Sequence, residues 1–384
     1  MEKNAIIVTA FLNYDYEIRI KFLKAYLEKK GYKCLLLTSN YDHRNKCEYK
    51  PDHDGVNLIS VPSYKKNLSF RRLYSHYVFA KKSKGFSNKC NPQLVYAIIP
   101  PNFMASQIIA AKRDNCKVFF EVEDLWPESL PLPIGIKRLL WPFFLLWRSP
   151  RDRVLNKADY IIFECNLFKE YIAKKMVLKT NFKTIYLTKD NLIELTPYDY
   201  HCDILSYLYL GSVNNLIDID LLLKILIESS KKKKVILNVI GKGERLKDLE
   251  EGCKFNDIII NLYGAIYDDN EKEKIFRESH FGLNIMKETV VVGATMKSLE
   301  YFYYGLPLLN NIIGDTSCIV EENNCGINLL RGDVTTAVNR VLEVVSNKQK
   351  YLAYRRNSRS VYERLFSPQA FYDSIDDVFQ KVRL

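Results

Sequence analysis

Gly293-Ala-Thr-Met-Lys-Ser-Leu-Glu-Tyr-Phe-Tyr-Tyr-Gly-Leu-Pro307 reads as a glycine turn, a short helix and a glycine–proline exit into another buried strand. A helix start behind such a turn leaves backbone N–H groups unpaired and aims the positive end of the helix dipole into the turn. Lys297, near the start of that helix, adds a full positive charge. Glu300, three residues on, shares its face and accepts hydrogen bonds from hydroxyl groups. A diphosphate beside a polyol suits this place, and a nucleotide sugar carries both. Taken alone, the stretch reads more simply as an ordinary helix with Lys and Glu on its surface. The rest of the chain changes that.

Working outward, short apolar runs alternate with helical patterns almost from end to end. Strands are expected over 5–10, 34–38, 56–61, 94–98, 117–122, 160–163 and 184–187, with helices over 17–29, 70–84 and 102–113. The polar stretch 188–203, with Pro197 inside it, reads as a linker. The alternation then restarts. Strands are expected over 207–210, 235–240, 258–262 and 281–285, and helices over 219–229, 245–251, 270–278, 334–347 and 367–382. Parallel pairing needs crossover connections, so apolar runs separated by helices mean parallel sheets covered on both faces. The expected fold is α/β: two tandem Rossmann-like, doubly wound parallel-sheet domains facing across a cleft. The boundaries are 1–197 for the first domain and 204–366 for the second, with 367–384 expected to pack back on the first. Ligands of such sheets collect at the carboxyl ends of the strands, which puts the expected site in the cleft.

The totals agree with this size. At 384 residues the chain is long for one core and fits two. Nine cysteines, with no CxxC pair and no zinc spacing, read as reduced, buried thiols in a cytoplasm. No run reaches bilayer length, and the 5–10 run is too short for a signal segment. A formal charge of +12 favours anionic partners without choosing among them. No RNA- or DNA-binding motif accompanies it, so nucleic acid is not an expected partner.

Several motifs occur in an order that resembles the retaining glycosyltransferases of family 4, with the two-Rossmann GT-B fold. Arg19 through Gly31 is similar to the helix after the first strand. Glu121-Val-Glu-Asp-Leu-Trp-Pro-Glu-Ser129 carries the Asp-Leu-Trp-Pro-Glu-Ser signature of the bacterial capsule and O-antigen branch. Leu208-Tyr-Leu-Gly-Ser212 resembles the opening of the nucleotide domain, and Asn238-Val-Ile-Gly-Lys-Gly-Glu244 its Gly-x-Gly turn. Phe281-Gly-Leu-Asn-Ile and the block ending in Gly305-Leu-Pro307 complete the series. Three departures stand out. The first of two glutamates common in the family is Val292 here, with Glu288 nearby. The arginine and lysine that often follow Gly211 are absent, and the usual glycine-rich turn after the first strand is replaced by Phe11-Leu-Asn-Tyr-Asp15.

The resemblance implies transfer of a sugar from a nucleotide diphosphate to a lipid-linked saccharide, as in bacterial surface polysaccharide synthesis, with no metal and no cofactor. The residues expected at the reaction are Asp124, Lys297 and Glu300. Donor contacts are expected from Gly211, Ser212, Gly241, Lys242, Gly264, Lys287, Gly293, Thr295, Met296, Lys297 and Glu300. Acceptor contacts are expected from Asn13, Asp15, Arg19 and Trp126. For Asp124 a role as a turn cap weighs equally with one in orienting substrate. The pairs Asp218/Asp220 and Asp268/Asp269 read as helix-start and loop residues rather than metal ligands.

Residues 137–157 hold six cationic side chains around an apolar aromatic centre, and 64–84 is a second basic and aromatic stretch. Both are expected to lie on anionic phospholipid, placing a cytoplasmic protein on the inner face of the plasma membrane. Two rival readings are a nucleotide-sugar epimerase of the same fold and an inactive glycosyltransferase-like binding subunit. Val292 is the best support for the second.

Overall fold

The computed structural model describes residues 3–12, 18–49, 55–190, 194–198, 200–329 and 333–383. The chain divides into two compact units, Met1–Thr188 with Phe371–Leu384, and Lys189–Ala370. The expected α/β class, with two doubly wound parallel sheets, is what the structure shows.

The first unit contains strands β1 (Lys3–Val8), β2 (Tyr32–Ser39), β3 (Tyr41–Asp42), β4 (Cys47–Glu48), β5 (Val56–Ile59), β6 (Leu94–Ile99), β7 (Lys117–Val122), β8 (Tyr160–Phe163) and β9 (Phe182–Thr184). Seven of them form one sheet in the order β5-β2-β1-β6-β7-β8-β9, all parallel. The chain winds outward from β1 to one edge and returns to build the other, so the order switches between β1 and β6. Every residue of β6 is buried, as expected of a strand covered on both faces. The last helix, Pro368–Val382, contributes Phe371, Ile375, Val378 and Phe379 to this unit's core beside Leu23, Leu27 and Phe119.

The second unit contains β10 (Ile204–Leu210), β11 (Lys234–Ile240), β12 (Ile259–Gly264), β13 (Phe281–Asn284), β14 (Leu308–Asn310) and β15 (Gly326–Asn328). Their order is β12-β11-β10-β13-β14-β15, all parallel, with the switch between β10 and β13. Only Tyr207↔Phe281 and Leu208↔Gly282 pair across that switch. Beyond them Tyr301 stands in the gap. Its hydroxyl accepts from Leu210 N–H at 2.9 Å and lies 3.2 Å and 3.3 Å from the carbonyls of Leu208 and Leu283. A Cβ on Gly282 would meet the Tyr301 ring at 2.5 Å, so this position needs glycine for the helix to dock.

The expected strand at 184–187 is Phe182–Thr184 instead, and the expected 70–84 helix runs on to Cys90. Asp218 and Asp268 cap the helices Ile219–Ser230 and Asp269–Arg277, accepting from Leu221 and Glu271 N–H. Not all cysteines are buried: Cys47 and Cys318 are exposed.

Candidate functional site

The ends of three adjacent strands build one rim of the second unit. Gly211 follows β10, Gly241 follows β11, and Gly264 closes β12. The first two turns pack backbone against backbone. Gly211 N–H donates to Ile240 O at 2.8 Å, and Val213 N–H to Lys242 O at 3.0 Å. A Cβ on Gly241 would lie 2.0 Å from the Gly211 carbonyl oxygen, so only glycine allows the approach. The side chains of Ser212 and Lys242 are left at the surface beside this pair of turns.

Across the switch, Thr295 caps the helix Met296–Tyr303. Its hydroxyl accepts from Ser298 N–H, and the Ser298 hydroxyl accepts from Thr295 N–H, each at 3.0 Å. This reciprocal cap and the Thr295 carbonyl satisfy Ser298 and Leu299 N–H. The N–H groups of Met296 and Lys297 have no partner among the described residues. Gly293 is fixed from behind, its carbonyl accepting from Thr316 N–H and Oγ1 at 2.9 Å and 2.8 Å. The cap is braced by asparagines at the ends of three neighbouring strands. Asn328 Oδ1 accepts from Asn310, Asn310 Oδ1 from Asn284, and Asn284 Oδ1 from the Thr295 hydroxyl.

Lys297 crosses from this helix to the glycine rim. Its Nζ lies 2.6 Å from the Tyr209 hydroxyl and 4.3 Å from that ring's centre. The Tyr209 hydroxyl in turn donates to Ser212 O at 2.9 Å. No carboxylate pairs with this ammonium among the described residues, and burial holds its pKa down at about 7. A desolvated cation on a helix whose first N–H groups have no partner among the described residues has the chemistry that suits an anion.

Glu300 sits one turn on and is not left open. Its carboxylate lies 3.3 Å from Lys272 Nζ and 3.4 Å from Lys189 Nζ, and Lys189 also pairs with Asp269 at 2.8 Å. Sequence reasoning missed Lys189 and Lys272, which reach Glu300 across 111 and 28 residues. The Lys287 N–H donates to Leu216 O at 2.9 Å, and Lys287 lines a cavity of about 530 Å³ with Asp218, Glu288, Val292 and the bracing Asn310 and Asn328.

In the first unit Asp124 follows β7. One carboxylate oxygen accepts from Leu125 N–H at 2.7 Å and from the Ser129 hydroxyl, which is the capping duty. Burial raises its pKa against these hydrogen bonds. Trp126 stands beside Arg72, Phe11 and His76. Arg19, expected at the acceptor, is instead buried in the core. It pairs with Glu121 and donates to the carbonyls of Ile185 and Tyr186, so its charge serves the fold. Asn13 and Asp15 lie outside the described residues.

No family model matches the sequence, and no curated protein matches it. Solved structures do. Sucrose-phosphate synthase from Thermosynechococcus elongatus superposes with a TM-score of 0.70 at 12% identity, covering 99% of each chain. HepE from Anabaena, solved with UDP, gives 0.69 at 12% identity over 99% of this chain and 100% of its own. The lipopolysaccharide outer core galactosyltransferase WaaB gives 0.67 at 15% identity over 99% of each. The chain shares their fold from end to end. In HepE that fold holds UDP.

Proposed function

We propose that this chain is a glycosyltransferase that moves a sugar from a nucleotide diphosphate to a saccharide acceptor. The observation that carries this is Lys297: an ammonium with no carboxylate partner among the described residues, its stem lying against Gly211 at the switch point of a doubly wound sheet, on a helix whose first two N–H groups have no partner among those residues. Departure of a nucleotide builds negative charge on the diphosphate while the anomeric carbon becomes cationic. Fixed positive groups aimed at the leaving oxygen lower that barrier, and more so out of water. Lys297 and the N–H groups of Met296 and Lys297 serve the diphosphate, with Gly211 and Gly241 allowing its close approach. Glu300 serves the donor's hydroxyls, exchanging part of its contact with Lys189 and Lys272 for them.

The finer reading follows the family resemblance: transfer with retention, a phosphate oxygen assisting deprotonation of the incoming hydroxyl, and no metal. The acceptor is a lipid-linked saccharide of a bacterial surface polysaccharide. An apolar, base-rimmed face on the first unit supports a membrane-bound acceptor. Phe70, Ile134, Leu139 and Leu146 are each at least 70% exposed there, and the Phe70 and Phe143 rings are 6.1 Å apart, joining the two stretches. Among the described residues no helix is long and apolar enough to cross a membrane.

The test is thermal stabilisation of the purified protein by a panel of UDP-, GDP- and dTDP-sugars, since a ligand of the native state raises its melting point. One nucleotide series is expected to stabilise the wild type and to lose most of that effect in Lys297→Ala. No response to any of them removes the proposal. Nucleotide release that depends on an added acceptor separates a transferase from an epimerase.

A further inference from the structure

The carboxyl end of the first sheet gathers two cations, Arg72 and Lys46, that make no ion pair among the described residues. Arg72, on the helix Phe70–Cys90, is buried, yet no carboxylate pairs with it among the described residues. Its guanidinium lies 4.1 Å from the centre of the Trp126 ring and 5.6 Å from that of Tyr64. Nη1 donates to Asn67 O at 3.0 Å, and Nε lies 3.4 Å from His76 Nε2. A second cation approaches the same tyrosine, with Lys46 Nζ 5.1 Å from the ring centre and 2.5 Å from Asn67 Oδ1. Two like charges thus converge on one residue.

Among the described residues, the Asp124 charge does act on Arg72, but no carboxylate makes an ion pair with it, and the hydrogen bonds of the nearby acids go elsewhere. Asp42 accepts from Arg44 and Asn45 N–H and from Asn45 Nδ2, all within 2.9 Å, and Asp124 is tied to its own turn. The two histidines of the cluster do not add charge. Burial and the adjacent cations hold His43 down at about 4 and His76 well below its ordinary value. Cation–π contacts and hydrogen bonds to Asn67 O and Tyr64 offset part of the cost of a buried guanidinium with no carboxylate partner among the described residues, but a structural arginine at this depth ordinarily finds one. Convergent, partly desolvated cations of this kind mark places where a ligand supplies the missing charge. The planar fork of arginine matches a carboxylate or a phosphate, and the half-exposed faces of Phe11 and Trp126 offer apolar surface beside it.

We infer that Arg72 and Lys46 form an oxyanion subsite in the first unit, next to Trp126, which reads a negative group carried by the acceptor. The inference rests on the first unit being the acceptor side of a glycosyltransferase. Two sources share this chemistry: the carboxylate of an acidic sugar, and the diphosphate that joins a saccharide to its lipid.

The experiment uses the full chain and measures binding by saturation-transfer NMR to three probes: methyl glucuronide, methyl glucoside and citronellyl diphosphate. One of the two anionic probes is expected to bind about tenfold or more tightly than the neutral glucoside. Which of them does so names the source. Arg72→Gln, and separately the more exposed Lys46→Gln, are expected to remove that preference. Circular dichroism and the thermal melting of each variant report whether the first unit still folds, and affinity for the nucleotide that stabilises the wild type reports whether the donor reading holds. Loss of the anion preference with the fold intact supports the subsite. Equal binding of charged and neutral probes by the wild type overturns it. So does an unchanged preference in Lys46→Gln together with a folded Arg72→Gln. A wild type that prefers the anion but ignores every nucleotide would keep the subsite and remove the transferase reading.

Discussion

The Lys297 stem passes so close to Gly211 that a Cβ on the glycine would sit 3.1 Å from Lys297 Cε. A turn after one strand and a helix on the far side of the switch thereby meet through Lys297, next to the bond between Tyr301 and Leu210 N–H. Gly211 also has φ of +103°, a conformation other residues rarely adopt. Gly211→Ala is therefore expected to push the ammonium off its position and strain the turn. Calorimetric titration should show affinity for the nucleotide that stabilises the wild type falling about tenfold or more, with the circular dichroism spectrum unchanged. An affinity equal to the wild type would remove Gly211 from the site.

The same lysine makes stability depend on pH in a stated direction. Its pKa is about 7 in the folded protein against an ordinary value of 10.5. Between those values the unfolded chain binds more protons, so stability rises with pH from about 7 toward 10. Below 7 the folded protein carries the full cost of a buried ammonium. Lys297→Met should relieve that cost, raise the melting point at pH 6 and flatten the rise above pH 7. The measurement is melting temperature against pH for both proteins. Parallel curves would contradict it.

Binding of a diphosphate reverses this shift, because an adjacent anion favours the charged amine. The nucleoside diphosphate of the series that stabilises the wild type is expected to bind with net proton uptake above pH 7 and to weaken as pH climbs from 7 to 9. Titration calorimetry in two buffers of different ionisation heat counts the protons. Uptake should vanish in Lys297→Met.

How much of this was legible in the sequence follows from how local each signal is. The glycine turns and the helix with Lys297 and Glu300 are contiguous strings, and they were readable as such. The partners of Glu300 were not, because Lys189 and Lys272 lie in segments that only the fold brings together. β14 and β15 have three residues each, too few for a periodicity of two to declare itself, so the sequence carries no signal for β15 and marks β14 only through the Gly305-Leu-Pro307 exit. Arg19 misled for a physical reason. Its charge looked available, but Glu121, an acid inside an apolar strand, was the sign that a buried cation had to face it.

Tyr301 offers a test of how the switch point is held open. Tyr301→Phe keeps the ring against Gly282 but removes the acceptor of Leu210 N–H. A buried donor left unpaired costs about 1–3 kcal/mol. Hydrogen exchange at Leu210 is expected to speed up by about tenfold or more, since its local protection loses an equivalent free energy. Unchanged protection would mean that another acceptor takes over.

The exposed face of the first unit makes the last prediction. Leu139, Leu146 and Phe70 present large apolar side chains to solvent, and Lys137, Arg138 and Arg71 stand beside them in sequence. An interfacial segment binds through buried apolar area together with attraction to anionic headgroups, and the second contribution is screened by salt. The wild type should sediment with vesicles containing phosphatidylglycerol at low ionic strength and less so with neutral ones. Replacing Phe70, Leu139 and Leu146 together by serine should weaken that binding by about an order of magnitude or more. Replacing Lys137 and Arg138 by glutamine should instead remove the preference for anionic lipid while leaving the apolar contribution. Equal sedimentation of wild type and triple variant would show that this face does not meet a bilayer, and the origin of a lipid-linked acceptor would have to be sought elsewhere on the unit.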